Sequence, residues 1–332
     1  MNRITIKYYL ALSFLFKRIF ALKNRGFIGL YKESLKRTIL VFISLFFIAN
    51  TSFSQALNPR TANYAKADSI ALHLPKENTL DVDVLTRELT KDLHSEHEKC
   101  RVIFRWITDN IAYSFSNQTR DVSLVLKRRK AVCMGYASLF ETMCKKAGLE
   151  CETVSGYAKT LTTDIGMKPQ KTNHDWNVVK LYDKWYFIDA TWAAGNYNNK
   201  FVKEFDESYF LTDPKNLILS HFPQDEKYQY LDTVVTMESF LRFPIVYSGY
   251  MKNKLSFKTI PDGRLKREMN IQFTTSLPIN SVYGMYDNEK HSTSIDYKSL
   301  NDTTYSIKYK IPSGKGDYTI FLNGKAVFGF KK

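Results

Sequence analysis

The stretch that most constrains this chain runs from Ala131 to Tyr157, AVCMGYASLFETMCKKAGLECETVSGY. Tyr136, Leu139, Phe140, Met143, Cys144 and Ala147 recur at steps of three and four, which lays an apolar stripe along one helical face. The spacing predicts a helix that starts near Cys133, with Gly148 as the C′ residue that stops it. Leu149–Tyr157, rich in β-branched and aromatic residues, reads as the strand that follows. Cys133 then lies at a helix N-terminus, where unpaired backbone N–H groups and the positive end of the macrodipole favour thiolate over thiol. Cys144 and Cys151 lack that placement. Taken alone, Cys133 also reads as a small core residue on the face of Phe140, and the downstream sequence decides between the two.

The partner segment is Asn173–Trp192, NHDWNVVKLYDKWYFIDATW, which has the pattern of a β-hairpin with Tyr182-Asp183 at its turn. That register sets Asp189 opposite Trp176. The period of two puts His174, Trp176 and Asp189 on one face, with Asp189 a diagonal neighbour of His174 at roughly 7–8 Å between backbones. An acid in that position orients an imidazole. A thiol at a helix N-terminus, a histidine and an acid are the parts needed for acyl transfer by a cysteine nucleophile.

Three runs, VCMGYASLF, then NHDWNVV, then WYFIDATW, resemble the motifs of the transglutaminase-like (papain-related) superfamily, with the likeness nearest to the kyphoscoliosis peptidase group. EKCRVIFRWITDNIAYS resembles the helix before that family's core and YFLTDPKNLILSHFP the segment after it, so the likeness covers Ser69 to Pro244. The resemblance implies an α+β, papain-like core and a catalytic triad of Cys133, His174 and Asp189. It implies a protein or peptide substrate attacked at an amide: a cysteine peptidase if water takes the acyl group, a crosslinking transglutaminase if a lysine amine does. A scaffold that keeps the triad without turnover is the non-enzymatic alternative. Such enzymes recruit an upstream Trp or Gln to help hold the oxyanion, and here Trp106 and Gln118 are the two candidates, with Trp106 also a core residue by its spacing.

Ahead of this region the sequence changes character. Residues 1–37 carry nine basic side chains against Glu33 alone, and Ile39–Ala49, ILVFISLFFIA, is uncharged. That run is short for a membrane-spanning helix and right for the h-region of a signal peptide. Ser52-Phe53-Ser54 puts small residues at the two cleavage positions. Residues 1–54 are therefore expected to be a signal peptide cut before Gln55, making the protein periplasmic or secreted. The alternative is an uncleaved anchor holding it at the inner membrane through residues 39–49, the one case in which a membrane is a partner.

The leader accounts for +8 of the formal +15. What remains, with no recognised binding motif, argues against nucleic acid and for anionic envelope surfaces at most. The run Lys127–Lys130 reads as a solvated helix end. If Cys133 stays free, three cysteines remain, and Cys100, Cys144 and Cys151 are expected to be buried and reduced. The sequence has no CxxC pair, HExxH or compact acidic loop, so neither a metal nor another cofactor is expected.

Ser95-Glu96-His97-Glu98 is a capping box, and Cys100, Ile103, Trp106, Ile107 and Ile111 form the buried stripe of the helix it opens. His94 and His97 read as surface residues at that cap. His221 reads as a packing residue, because no acid stands at β spacing to orient it. From Leu255 on, LSFKTI, MNIQFTTS, SVYGMY, SIDY, TTYSIKYKI and DYTIFLNG alternate apolar and polar residues between turn residues. They predict an all-β immunoglobulin-like sandwich. The expected organisation is a transglutaminase-like domain over 55–240, a linker around Ser239–Pro244, and a sandwich over 245–332 that serves as a binding or spacing module for an envelope partner.

Overall fold

The computed structural model describes residues 59–75 and 80–332, so the expected leader and its cleavage site lie outside the described residues. Residues 63–332 form one compact unit.

The chain enters through two helices, α1 (Ala65–His73) and α2 (Val82–Thr90), the second capped by the Asp81 carboxylate on the N–H groups of Asp83 and Val84. α3 (Glu96–Asn110) starts where the capping box predicts, with the Ser95 hydroxyl accepting from Glu98 N. Cys100, Ile103, Trp106 and Ile107 are buried, as the stripe requires, and so is Ile111 just past its end. A two-residue strand, β1 (Ala112–Tyr113), follows, then α4 (Val122–Arg128), then β2 (Lys130–Ala131), which pairs with β1 in parallel.

α5 (Cys133–Lys146) carries the apolar stripe, and Tyr136, Leu139, Phe140, Met143 and Cys144 are all fully buried. Leu139, Phe140 and Met143 each contribute about 1.5–3 kcal/mol of hydrophobic stabilisation. The helix ends as its sequence requires. Gly148 takes a φ of +80°, and Leu149 N donates to Cys144 O at 2.9 Å while Gly148 N donates to Lys145 O at 3.1 Å, the paired bonds of a Schellman stop.

The chain then enters a five-stranded sheet. β3 (Glu150–Ala158), β4 (His174–Leu181) and β5 (Lys184–Ile188) are followed by the short helix α6 (Ala190–Ala194) and the hairpin β6 (Gly195–Asn198) and β7 (Lys200–Lys203). β8 (Phe210–Thr212), α7 (Pro214–Leu217) and β9 (His221–Pro223) complete the sheet, whose order is β8-β5-β4-β3-β9, antiparallel throughout. α5 packs on β3 and β4, and the Asn177 amide on β4 donates to Ala137 O at 3.1 Å.

The β4–β5 register is the predicted one, Asn177↔Ile188 through Leu181↔Lys184, with Tyr182 and Asp183 both at positive φ as a two-residue turn of this hand needs. The turn is gripped from outside. Glu96 accepts from Tyr182 N at 2.7 Å, and His97 Nδ1 lies 2.7 Å from the Tyr182 hydroxyl. His97 is thus half-buried and tied to the hairpin, where the sequence reading leaves it on the surface; His94 is exposed.

Segment 239–244 is the expected linker. It falls within α8 (Met237–Arg242) and the turn after it, Phe240 is fully buried, and the Lys159 ammonium donates to Phe240 O and Phe243 O at 2.7 and 2.8 Å. Burial pushes that ammonium down to about 7. Beyond it, β10 (Ile245–Val246) and α9 (Ser248–Lys252) lead into eight strands: β11 (Ser256–Phe257), β12 (Glu268–Thr274), β13 (Val282–Tyr286), β14 (Thr293–Ser294), β15 (Tyr297–Ser299), β16 (Thr304–Lys310), β17 (Tyr318–Leu322) and β18 (Lys325–Phe330). They form two sheets, β10-β18-β17-β13-β14 and β11-β12-β16-β15. Met269, Ile271 and Phe273 of one sheet and Tyr318, Ile320 and Leu322 of the other are the buried alternate residues of their strands and share one core with Phe328. The protein is an α+β fold with a β-rich C-terminal part.

Candidate active site

Cys133 is the first residue of α5 and the only one of the four cysteines that is not buried. The N-terminus it occupies is pinned on the β1 side. Ser114 N donates to Ala131 O at 2.9 Å, and the Tyr136 hydroxyl, one turn into the helix, donates to Ile111 O at 2.6 Å. The N-cap residue Val132 supplies no side-chain oxygen, so no side chain caps the first-turn N–H groups. Cys100, Cys144 and Cys151 are free thiols that meet in the core, where burial and mutual contact push the Cys144 thiol well up.

His174 opens β4, and its Nε2 lies 2.7 Å from Asp189 Oδ2, with both side chains nearly closed to solvent. Nε2–H therefore donates to the acid, which leaves Nδ1 for the thiol. Burial disfavours the imidazolium, but Asp189 and then the neighbouring Cys133 outweigh it and push His174 up to about 10. Burial likewise disfavours the Asp189 carboxylate, and His174 and His221 hold it well below the usual carboxylate range.

Asp189 reaches His174 by a different route from the one its spacing suggests. The ladder stops at Asn177↔Ile188, so Asp189 does not pair with Trp176. Asp189 is the N-cap of α6. Its Oδ1 accepts from Thr191 N at 2.8 Å and Trp192 N at 3.0 Å, and its own N–H donates to Tyr209 O. One carboxylate oxygen is thereby fixed by backbone and the other is aimed at the imidazole.

That second oxygen has a further partner. His221 Nε2 lies 3.1 Å from Asp189 Oδ2, and its Nδ1 lies 2.8 Å from the Ser220 hydroxyl. The sequence reading makes His221 a packing residue for want of an acid, but Asp189 is that acid, supplied from outside its own strand. Burial holds the His221 ring below its ordinary value, whereas Asp189 raises His174, so of the two rings on Asp189, His174 is the one favoured as imidazolium. Trp176 and Trp192 enclose both. Trp176 lies nearly parallel to His174 at 6.0 Å between centroids, and Trp192 is 4.4 Å from His221. Room for this comes from Gly156, the residue of β3 paired with His174. A Cβ there would stand 2.5 Å from Trp176 Cη2 and 2.3 Å from Phe222 O.

A second group that sequence reasoning missed is Tyr113, in the strand paired with β2. Tyr113 pairs with Ala131, two residues before Cys133, and burial first, then the Cys133 sulfur and the Tyr197 hydroxyl, push its hydroxyl up to about 12. Only the β1–β2 pairing brings it there. Of the two residues considered for the oxyanion, Trp106 is buried in the helical core with the Arg129 guanidinium 4.9 Å from its ring, and Gln118 is exposed with its amide donating to Phe115 O at 3.2 Å.

His174, Asp189 and His221 each offer a ligand atom within 4.8 Å of the others, the one such cluster among the described residues. Both histidine Nε2 atoms already serve the acid there. A metal would take their place and detach His174 from Asp189.

Residues 83–190, a span that contains Cys133, His174 and Asp189, match the model of the transglutaminase-like superfamily. The chain is 30% identical over 224 residues to the human kyphoscoliosis peptidase, covering 64% of this chain and 33% of that protein. It is 31% identical over 213 residues to Hillarin of Drosophila melanogaster, covering 58% and 26%. A solved TGase structure superimposes at a TM-score of 0.27 with 15% identity, over 49% of this chain and 42% of that one. The chain thus spans about a third or less of the curated relatives it matches. Its cysteine, histidine and aspartate motifs lie inside the span, residues 83–190, that matches the transglutaminase-like superfamily.

Proposed function

We propose that this protein is an exported, thiol-dependent acyl-transfer enzyme that hydrolyses protein amide bonds through Cys133, His174 and Asp189. The observation that carries the reading is the buried 2.7 Å pair of His174 with Asp189 beside the one accessible cysteine, itself at a helix N-terminus. Cys133 Sγ attacks the amide carbon, the thiol proton passes through His174 to the leaving nitrogen, the C–N bond breaks and a thioester forms. Water then attacks the thioester while His174 takes its proton, and the acid leaves as the proton returns to sulfur. Asp189 holds the imidazole in one tautomer and balances its charge throughout. Hydrolysis is favoured over amine transfer because a relative 30% identical over 224 residues is named a peptidase.

A glutamine-containing peptide offered with a labelled amine tests this. Cleavage by the wild type and none by Cys133→Ala is the expected result. Incorporation of the amine makes the protein a crosslinking transglutaminase, and neither outcome from a folded protein makes it a scaffold.

The C-terminal part is read as an immunoglobulin-type sandwich that binds or spaces at the cell envelope. Its strand order supports this: lettered A to G from β11, one sheet runs A-B-E-D and the other G-F-C, with β10 and β14 added at its edges. Export rests on the basic leader and the apolar run before Gln55.

A further inference from the structure

Three aromatic rings stand together near the start of α5, where Tyr113 pairs with Ala131, two residues before Cys133. Tyr113, Phe115 and Tyr197 meet edge to face, with centroids 5.3 Å apart for Tyr113–Phe115, 5.7 Å for Tyr113–Tyr197 and 5.4 Å for Phe115–Tyr197. Phe115 is 55% and Tyr197 47% exposed, and only one other aromatic among the described residues, Tyr230, is so open. Two of the three most exposed rings therefore lie side by side, against the ring of Tyr113, which pairs with the residue two before Cys133. An apolar cluster left open at a reactive group marks a binding surface.

The cluster is rigidly presented. Asn117, two residues past Phe115, is buried; its amide donates to Lys130 O at 2.6 Å and accepts from Arg128 at 2.8 Å, so the loop is fastened to β2. Arg120 closes the same loop onto Asp175, the neighbour of His174, at 2.6 Å. Tyr197 comes from β6, directly after the helix that Asp189 caps, and is paired with Phe201 across the hairpin. The rings are thus fixed to the elements that hold Cys133, His174 and Asp189.

We propose that Phe115 and Tyr197, resting on Tyr113, form a substrate subsite that receives a large apolar or aromatic side chain of the polypeptide beside the amide presented to Cys133. The occupant follows from position and chemistry. A chain that brings a carbonyl to Cys133 Sγ comes to the start of α5, the region where Tyr113 anchors these rings, and their faces and edges reward aromatic or bulky aliphatic groups. This rests on the peptidase reading for the role of Cys133, but the subsite is tested without turnover.

The test uses the purified protein and two peptidyl chloromethyl ketones, identical except for Phe or Gly next to the warhead, with the same pair repeated one residue further along. The Cys133 thiol displaces chloride, so the second-order rate of labelling reports recognition even if no amide is cleaved. Iodoacetamide reports the thiol alone. The Phe reagent is expected to label Cys133 about tenfold faster than the Gly reagent in at least one of the two positions. Phe115→Ser, Tyr197→Ser and the double variant should bring that ratio to within about threefold of one while iodoacetamide labelling holds. A ratio near one in the wild type, or a ratio unchanged in the double variant, overturns the subsite and leaves the thiol reading standing. Failure of iodoacetamide to label Cys133 in the native wild type overturns both.

Discussion

Replacing Asp189 with asparagine removes the charge that joins the two histidines and leaves the shape of the side chain. In the wild type, His174 is raised from 6.5 to about 10 against the opposing effect of burial. At roughly 1.4 kcal/mol per unit, an interaction of up to about 5 kcal/mol separates its two protonation states. A base raised on folding stabilises the fold fully below its unfolded value, near 6.5, and loses that contribution as pH rises through about 10. Asp189, depressed on folding, contributes above the ordinary aspartate range and loses its contribution as pH falls. The wild type's advantage over Asp189→Asn should therefore be largest between about pH 4 and 6.5 and shrink steadily toward pH 10. In the variant, Cys133 alone opposes burial at His174, so that ring's contribution between pH 6.5 and 10 should be smaller than in the wild type. Lys159, lowered to about 7, adds a contribution that rises between pH 7 and 10.5 in both proteins, so the difference between them is the quantity to read. Urea unfolding of both proteins at half-unit steps from pH 4.5 to 9.5 measures it. A difference of several kcal/mol at pH 6 that narrows by pH 9.5 is expected; one that is flat or widens refutes the charge pair as the source of the shift.

Cys133→Ala should abolish peptide cleavage and leave the thermal midpoint nearly unmoved, since its half-exposed thiol fills no core space; residual turnover above about a thousandth of wild type would remove Cys133 from the chemistry. Asp189→Ala should lose activity and also stability, by about 2–4 kcal/mol in calorimetry, because it uncaps α6 and strands two buried imidazoles, a cost that a purely catalytic residue would not carry. His221→Gln should lower kcat by about tenfold with KM unchanged and shift its pH profile, whereas a packing role alone would leave that profile where it was. Brief iodoacetamide treatment of the native protein should label Cys133 only, with Cys100, Cys144 and Cys151 reacting after unfolding; mass mapping decides it. Gly156→Ala should cost about 1–3 kcal/mol in urea unfolding, since the added methyl meets Trp176 and the Phe222 carbonyl.

Local pattern was enough to write much of this molecule. The helix from Cys133, its stop at Gly148, the strand behind it, the capped helix after Ser95 and the β4–β5 register are all set by neighbours within a few residues, where 3.6-residue and two-residue periods, capping oxygens and turn geometry act. The pairing of His174 with Asp189 was legible for the same reason, since both lie on one hairpin. What the spacing misjudged was how Asp189 arrives, because a strand's end is set by what competes for its backbone, and here the N–H groups of α6 and the Tyr209 carbonyl take it. His221, Tyr113 and the aromatic trio were invisible in the sequence. Each acts on the site through a partner in another strand, hairpin or helix, and no period along one segment encodes which strand lies beside which. Sheet order decides that: β9 beside β3 brings a second histidine to the acid, and β1 beside β2 brings a tyrosine to the start of α5. The sequence determined the chemical groups and their local frames; only tertiary packing decided which of them share a carboxylate oxygen and which stand open near the start of α5.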